Sequence, residues 1–86
     1  MKQYFIEQTD TFSGEANYSW VNRYLVSANT ARGAMWKVSR ETGYPARLVM
    51  DSGDMRRYDV PGCAICYFVT EAEGTEADKY NRLILL

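Results

Sequence analysis

Thr9-Asp10-Thr11-Phe12-Ser13-Gly14-Glu15-Ala16-Asn17-Tyr18-Ser19-Trp20-Val21-Asn22-Arg23-Tyr24 is the stretch on which the reading of this chain turns. Four large aromatics, Phe12, Tyr18, Trp20 and Tyr24, fall within thirteen residues around one glycine and several turn-formers. The block reads as the end of one strand, a loop, and the start of a second strand. Residues 2–8 are β-prone and partly alternating, and residues 9–18 form the loop. From Trp20 to Ala28 the apolar residues alternate, with Trp20, Tyr24 and Val26 on one face and Val21 and Leu25 on the other. The two strands are expected to pair as an antiparallel hairpin with a long connection.

Downstream, Asn29-Thr30 supplies side-chain acceptors for the free N–H groups of a helix start. Ala31, Ala34, Met35 and Val38 recur at three- and four-residue spacing, which makes one narrow apolar stripe. Gly43 is placed to cap the last turn, and Pro45 blocks continuation. Gly33, inside the helix, suggests a close approach to a strand. Arg47 to Met50, the turn Asp51-Ser52-Gly53-Asp54 and Met55 to Val60 form a hairpin signal. After the Pro61-Gly62 turn, residues 63–70 are almost continuously apolar, as a central strand covered on both faces would be.

The expected fold is therefore α+β in a single domain over residues 1–86. An antiparallel sheet of four to five strands, in the order ββαβββ, packs on one main helix. Tyr4, Ile6, Leu25, Met35, Val38, Ile65 and Phe68 are the predicted core. The C-terminal segment reads either as a short helix, with Thr75 and Asp78 as a capping box and Ala77, Tyr80 and Ile84 along one side, or as a strand from Arg82 to Leu86. Leu83-Ile84-Leu85-Leu86 is too apolar to stand in water, and it docks on the core or forms a homodimer contact.

Composition supports a folded domain: 47% of the 86 residues are hydrophobic and 14% aromatic, high for a chain of this length. No run is long enough for a membrane span, and no secretory leader opens the chain, so a cytoplasmic protein of bacterial or viral type is expected. The two cysteines fit a reducing compartment.

Little in the chain points to catalysis. There is no histidine, the commonest base near neutral pH and a common metal ligand. Cys63 and Cys66 have C-x-x-C spacing, but within an expected strand they point to opposite faces and read as small buried apolar residues. A zinc site needs about four ligands, and no second pair exists. Asp10 and Glu15 lack a supporting nucleophile or phosphate loop, and Asp51-Ser52-Gly53-Asp54 lacks the ligand set of a calcium loop. The expectation is no enzyme activity, no metal and no cofactor.

Charge is segregated along the chain although the net charge is only −1. Between residues 23 and 57 there are seven basic residues against three acidic; between residues 58 and 78 there are five acidic and none basic. Two candidate surfaces follow. For a protein partner, the aromatic block offers Phe12, Glu15 and Tyr18, and the acidic stretch offers Glu71, Glu73, Glu76 and Asp78. For nucleic acid, Arg40 and Arg47 together with Arg56 and Arg57 are the candidates, although Arg56 and Arg57 must face opposite ways in a strand.

In size, aromatic content and lack of a catalytic constellation, with the block Asp10-Thr11-Phe12-Ser13-Gly14-Glu15-Ala16-Asn17-Tyr18-Ser19-Trp20, the chain resembles small phage and mobile-element proteins. Within that group it looks most like the anti-CRISPR proteins. The resemblance implies a non-enzymatic inhibitor that binds a host CRISPR effector complex and blocks target DNA. It carries no residue roles, because those proteins share no common signature. The alternative is a small nucleic-acid-binding regulator.

Overall fold

The computed structural model describes residues Met1–Leu86. Its strands are β1 (Lys2–Phe12), β2 (Glu15–Ala28), β3 (Arg47–Asp51), β4 (Met55–Asp59), β5 (Ile65–Glu71) and β6 (Ile84–Leu85). The helices are α1 (Ala31–Thr42) and the one-turn α2 (Glu76–Lys79). The fold is α+β, with an open six-stranded sheet in the order β3-β4-β5-β1-β2-β6. Every pairing is antiparallel except the short parallel contact of β6 with β2.

The expected long loop at residues 9–18 does not exist. β1 runs on to Phe12, and β2 starts three residues later. Ser13 (φ 54°) and Gly14 (φ 82°) make the turn between them, with positive φ at both positions as a two-residue I′ hairpin needs. The turn-forming residues instead build an irregularity inside β2. Thr9 pairs with Val21 and Thr11 with Ala16, so Asp10 alone stands opposite residues 17–20. Tyr18, with φ 55°, lies in that bulge. Aromatic, Asn and Ser content suggested a loop; a single carboxylate gathers those residues into a bulged strand.

The helix stands where its stripe placed it. Thr30 accepts from the Gly33 N–H at 3.0 Å, and Gly43 (φ 78°) closes the C-terminus. A Cβ on Gly33 would sit 3.2 Å from the Thr30 hydroxyl oxygen and 3.8 Å from the Ala28 Cβ, so the helix start is close to both its cap and β2. Ala31, Ala34, Met35 and Val38 are buried against one face of the sheet. That face carries Tyr4 and Ile6 of β1, Tyr24 and Val26 of β2, Tyr58 of β4, and Tyr67 and Val69 of β5. Of the predicted core, Tyr4, Ile6, Met35 and Val38 are buried. Leu25, Ile65 and Phe68 are only partly buried. Leu25 and Phe68 belong to the opposite face by strand alternation, and Ile65 lies at the start of β5.

A polar seam runs beneath the C-terminal turn of α1. Gln8 donates to the Tyr67 hydroxyl at 2.9 Å and accepts from Asn22 (2.9 Å) and Tyr24 (3.2 Å). The Tyr67 and Thr42 hydroxyls lie 3.1 Å apart. Every buried side-chain polar atom has a partner, so the seam is compatible with a well-packed interior.

The C-terminal alternatives are both partly realised. After β5 the chain makes α2, crosses the sheet face opposite α1, and adds β6 beyond β2. Tyr80 stacks on Phe5 at 5.2 Å between ring centres and lies under the Arg23 guanidinium at 4.3 Å. The Leu86 N–H donates to Leu25, and the Ser27 N–H to Leu86. The tail's backbone thus joins the chain's own sheet and raises the strand number to six, and Leu86 packs against the core, but Ile84 and Leu85 stay 43% and 71% exposed, contrary to the expected cover. The expected capping box is absent: Thr75 makes no side-chain cap. Instead the Glu76 carboxylate accepts from the Glu73 and Gly74 N–H groups at 2.9 and 3.0 Å, which holds it below the ordinary carboxylate range.

Candidate functional site

The connection through α1 runs from β2 to β3, four strands apart, a distance of roughly 19 Å at normal strand spacing. One helix of ordinary diameter cannot cover that width. α1 packs mainly on β2, with lesser contacts to β5 and β1. The same sheet face over β4 and β3 is left with a cleft of about 680 Å³ beside the helix.

Met35, Ala46, Leu48 and Tyr58 contribute to its apolar lining, and Trp36 and Arg32 stand at the helix side. No acidic side chain lines it. Trp36 is 59% exposed on a helix whose other large apolar residues are buried. Arg32, Trp36 and Arg40 follow each other at four-residue intervals, so they share one side of α1. The Arg40 guanidinium lies 4.8 Å from the Trp36 ring centre, a solvent-exposed cation–π contact. The facing wall is β3, an edge strand exposed at every position, including Leu48, Val49 and Met50.

A second cleft, also about 680 Å³, opens at the N-terminal end of α1. Its lining is dominated by polar and charged groups of both signs, among them Lys2, Asp54, Arg56 and Glu71. Lys2 stands 3.8 Å from Glu71, and Arg56 pairs with Asp51 at 3.3 Å. The apolar residues of that cleft, Tyr4, Ala31 and Val69, are buried and its charges are of both signs, so the α1–β3 cleft, with Trp36 and Leu48 exposed, is the stronger candidate.

The residues nominated from sequence are dispersed. Phe12 and Glu15 flank the β1–β2 turn, and Phe12 is 73% exposed. Tyr18 stacks on Phe68 with ring centres 6.4 Å apart. Glu71, Glu73, Glu76 and Asp78 lie near the other end of β1, where Glu71 pairs with Tyr4. Eight residues of strand, roughly 27 Å, separate Tyr4 from Phe12, so the aromatic and acidic groups do not make one local patch. Glu76 is turned inward onto backbone, and Glu73 is bonded to Lys79 at 3.2 Å.

The four arginines also divide. Arg40 is on α1, Arg56 shares the helix side of the sheet, and Arg57 lies on the opposite side with Arg47. Arg57 is engaged by Asp59 at 2.9 Å and by the Gly14 carbonyl at 2.7 Å. Cys63 corrects another expectation: it precedes β5 in an exposed turn, whereas Cys66 is buried within the strand. Burial pushes the Cys66 thiol up, away from thiolate character.

Asp10 is a structural acceptor rather than half of a carboxylate pair. It takes the Ser19 hydroxyl at 2.5 Å, the Ser19 N–H at 2.9 Å and the Asn17 amide at 2.8 Å. The Ser19 hydroxyl first, then Asn17, holds its carboxyl far below the usual range. No group of three or more potential acidic or cysteine ligands converges on a metal position. No helix is long and apolar enough to cross a membrane.

Trp36 and Leu48 were missed as a site, although a signal for Trp36 was present. It falls outside the Ala31, Ala34, Met35, Val38 stripe, on the side that should have been polar. No family model, curated protein or solved structure matches the chain.

Proposed function

We propose that the protein is a non-catalytic protein-binding module that uses the α1–β3 cleft. The observation that carries this reading is Trp36: a large aromatic more than half exposed, braced by Arg40, beside an apolar floor with no acidic lining. Aromatic and arginine side chains around a desolvated centre are the usual composition of binding hot spots. The complementary partner presents an apolar side chain to enter between Trp36 and Leu48, and carboxylates to meet Arg32 and Arg40.

Within that role, the resemblance to anti-CRISPR proteins supports an inhibitor of a host nucleoprotein complex. Such an inhibitor acts by occupancy and needs no reacting group. The dispersed arginines, two of them already paired with Asp51 and Asp59, support this reading over direct phosphate binding.

The test is a plaque assay in a host with an active CRISPR defence, expressing wild type or Trp36→Ala, beside a gel shift on plain duplex DNA. The reading expects wild type to restore infection, Trp36→Ala to lose that effect, and neither to shift DNA at physiological salt. A salt-sensitive shift weakened by arginine substitution would establish the nucleic-acid reading instead. Restored infection by both proteins would displace the contact from the cleft.

A further inference from the structure

We propose that a small cleft between β2 and the C-terminal segment binds a phosphate dianion, free or as the head of a small ester. The proposal is independent of the α1–β3 cleft, which lies at the other edge of the sheet.

β6 pairs with β2 only at Tyr24 and Leu25. Next to that contact, residues 21–23 of β2 face residues 79–82 across a space of about 360 Å³. Three cations line it, Arg23, Lys79 and Arg82, and no carboxylate does. The chain has 11 acidic residues and 10 basic ones, so a lining of cations alone is a local enrichment.

Each cation has donors to spare. The Arg23 Nε donates to Glu7 at 3.0 Å, and its guanidinium lies 4.3 Å from the Tyr80 ring centre. The terminal nitrogens of Arg23 make no hydrogen bond within the chain, so most of the donor fork is unused. Arg82 is exposed and makes no ion pair. Lys79 is bonded to Glu73 at 3.2 Å, but both side chains are largely exposed, and such a surface pair is worth little. An ammonium group carries several donors, so Lys79 can keep Glu73 and still meet a second anion. Glu7 and Glu73 offset part of the charge, yet neither lines the cleft. Asp78 also lies outside the lining, and Glu76 is spent on the backbone N–H groups of Glu73 and Gly74.

The class of ligand follows from the lining. Arg23 comes from the strand, and Lys79 and Arg82 from the chain opposite it. Donors on two sides of a space suit a tetrahedral anion, which accepts in several directions, better than a planar carboxylate. Arginine and lysine are the usual phosphate ligands. The space is at the small end for ligand sites. Its one aromatic, Tyr80, is already engaged by Phe5 and Arg23, so no ring stands free to stack a nucleobase. A single cleft also offers no track for the successive phosphates of a polymer.

Amide NMR of the full chain decides the point. Sodium phosphate, glycerol phosphate or sodium acetate is titrated at constant ionic strength and about pH 8, where phosphate is dianionic. Phosphate or its ester is expected to shift the amides of residues 21–23 and 79–82 in a saturable way in the millimolar range, and acetate is not. The tighter of the two phosphates identifies the ligand as the free ion or an ester. Arg82→Gln and Lys79→Gln change exposed side chains and keep the fold. Each is expected to weaken binding roughly tenfold, as the loss of one charged hydrogen bond does. No saturable shift, an equal response to acetate, shifts centred on other residues, or wild-type affinity in either variant overturns the proposal.

Discussion

The Gln8 side-chain amide donates to the Tyr67 hydroxyl at 2.9 Å, joining residues 59 positions apart on adjacent strands. Gln8 is 3% exposed and Tyr67 fully buried. Tyr67→Phe keeps the ring and removes a partner from Gln8 and from Thr42. Leaving a buried donor unpaired costs about 1–3 kcal/mol, so the variant should melt at lower temperature. Unchanged melting would mean that the seam relaxes without the hydroxyl.

The helix-side core should dominate stability. Ile6 is fully buried, and Ile6→Ala is expected to cost about 2–5 kcal/mol. Phe12→Ala at the exposed hairpin end should change stability by no more than about 0.5 kcal/mol. Chemical denaturation of both variants checks the contrast. Similar losses would place Phe12 under cover.

Acid should loosen the β1–β2 bulge. The Asp10 carboxyl is held below its unfolded value of about 3.9 by Ser19 and Asn17. It therefore contributes stability at pH above that value, and the contribution is lost as pH falls through it toward the folded pKa. Asp10→Asn turns one acceptor into an N–H donor facing Asn17. The variant should melt below wild type at pH 7 and converge with it toward pH 2. Glu76, depressed by the backbone N–H groups of Glu73 and Gly74, gives both proteins a residual slope of the same sign. Parallel melting curves from pH 7 to pH 2 would remove Asp10 from this role.

Deleting Leu83, Ile84, Leu85 and Leu86 should destabilise the monomer. The deletion removes the backbone bonds of Leu86 to Leu25 and Ser27, and the packing of Leu86 against the core. Calorimetry should show a lower melting temperature. An unchanged transition would show that β6 contributes nothing to the sheet.

Local chemistry made much of this architecture legible in the chain. Thr30 and Gly43 carry their capping signals beside an uninterrupted stripe, and the run around Tyr67 and Val69 reads as the central strand that it is. The bulge was hidden because Asp10 collects Ser19 and Asn17 across the hairpin, while the same residue types in sequence suggest a loop. β6 was half legible: four apolar residues suggest a docked element, but only the three-dimensional path over Phe5 and Arg23 brings the segment to β2, where Leu86 is covered and Leu85 is not. The cleft was hidden for another reason. Trp36 and Leu48 become neighbours of one space only because a single helix leaves β3 exposed beside it. The opposite facing of Arg56 and Arg57 was legible from strand alternation, whereas the separation of Arg40 from Arg47 follows from the three-dimensional path of α1 and β3.

The central claim, a protein contact in the α1–β3 cleft, is tested most directly by capture from a host lysate with three immobilised proteins: wild type, Trp36→Ala and Phe12→Ala. Captured proteins are identified and quantified by mass spectrometry. A partner held by wild type and Phe12→Ala, and reduced at least tenfold by Trp36→Ala, is the predicted result. A partner retained by Trp36→Ala and lost by Phe12→Ala would contradict the account and move the contact to the hairpin end.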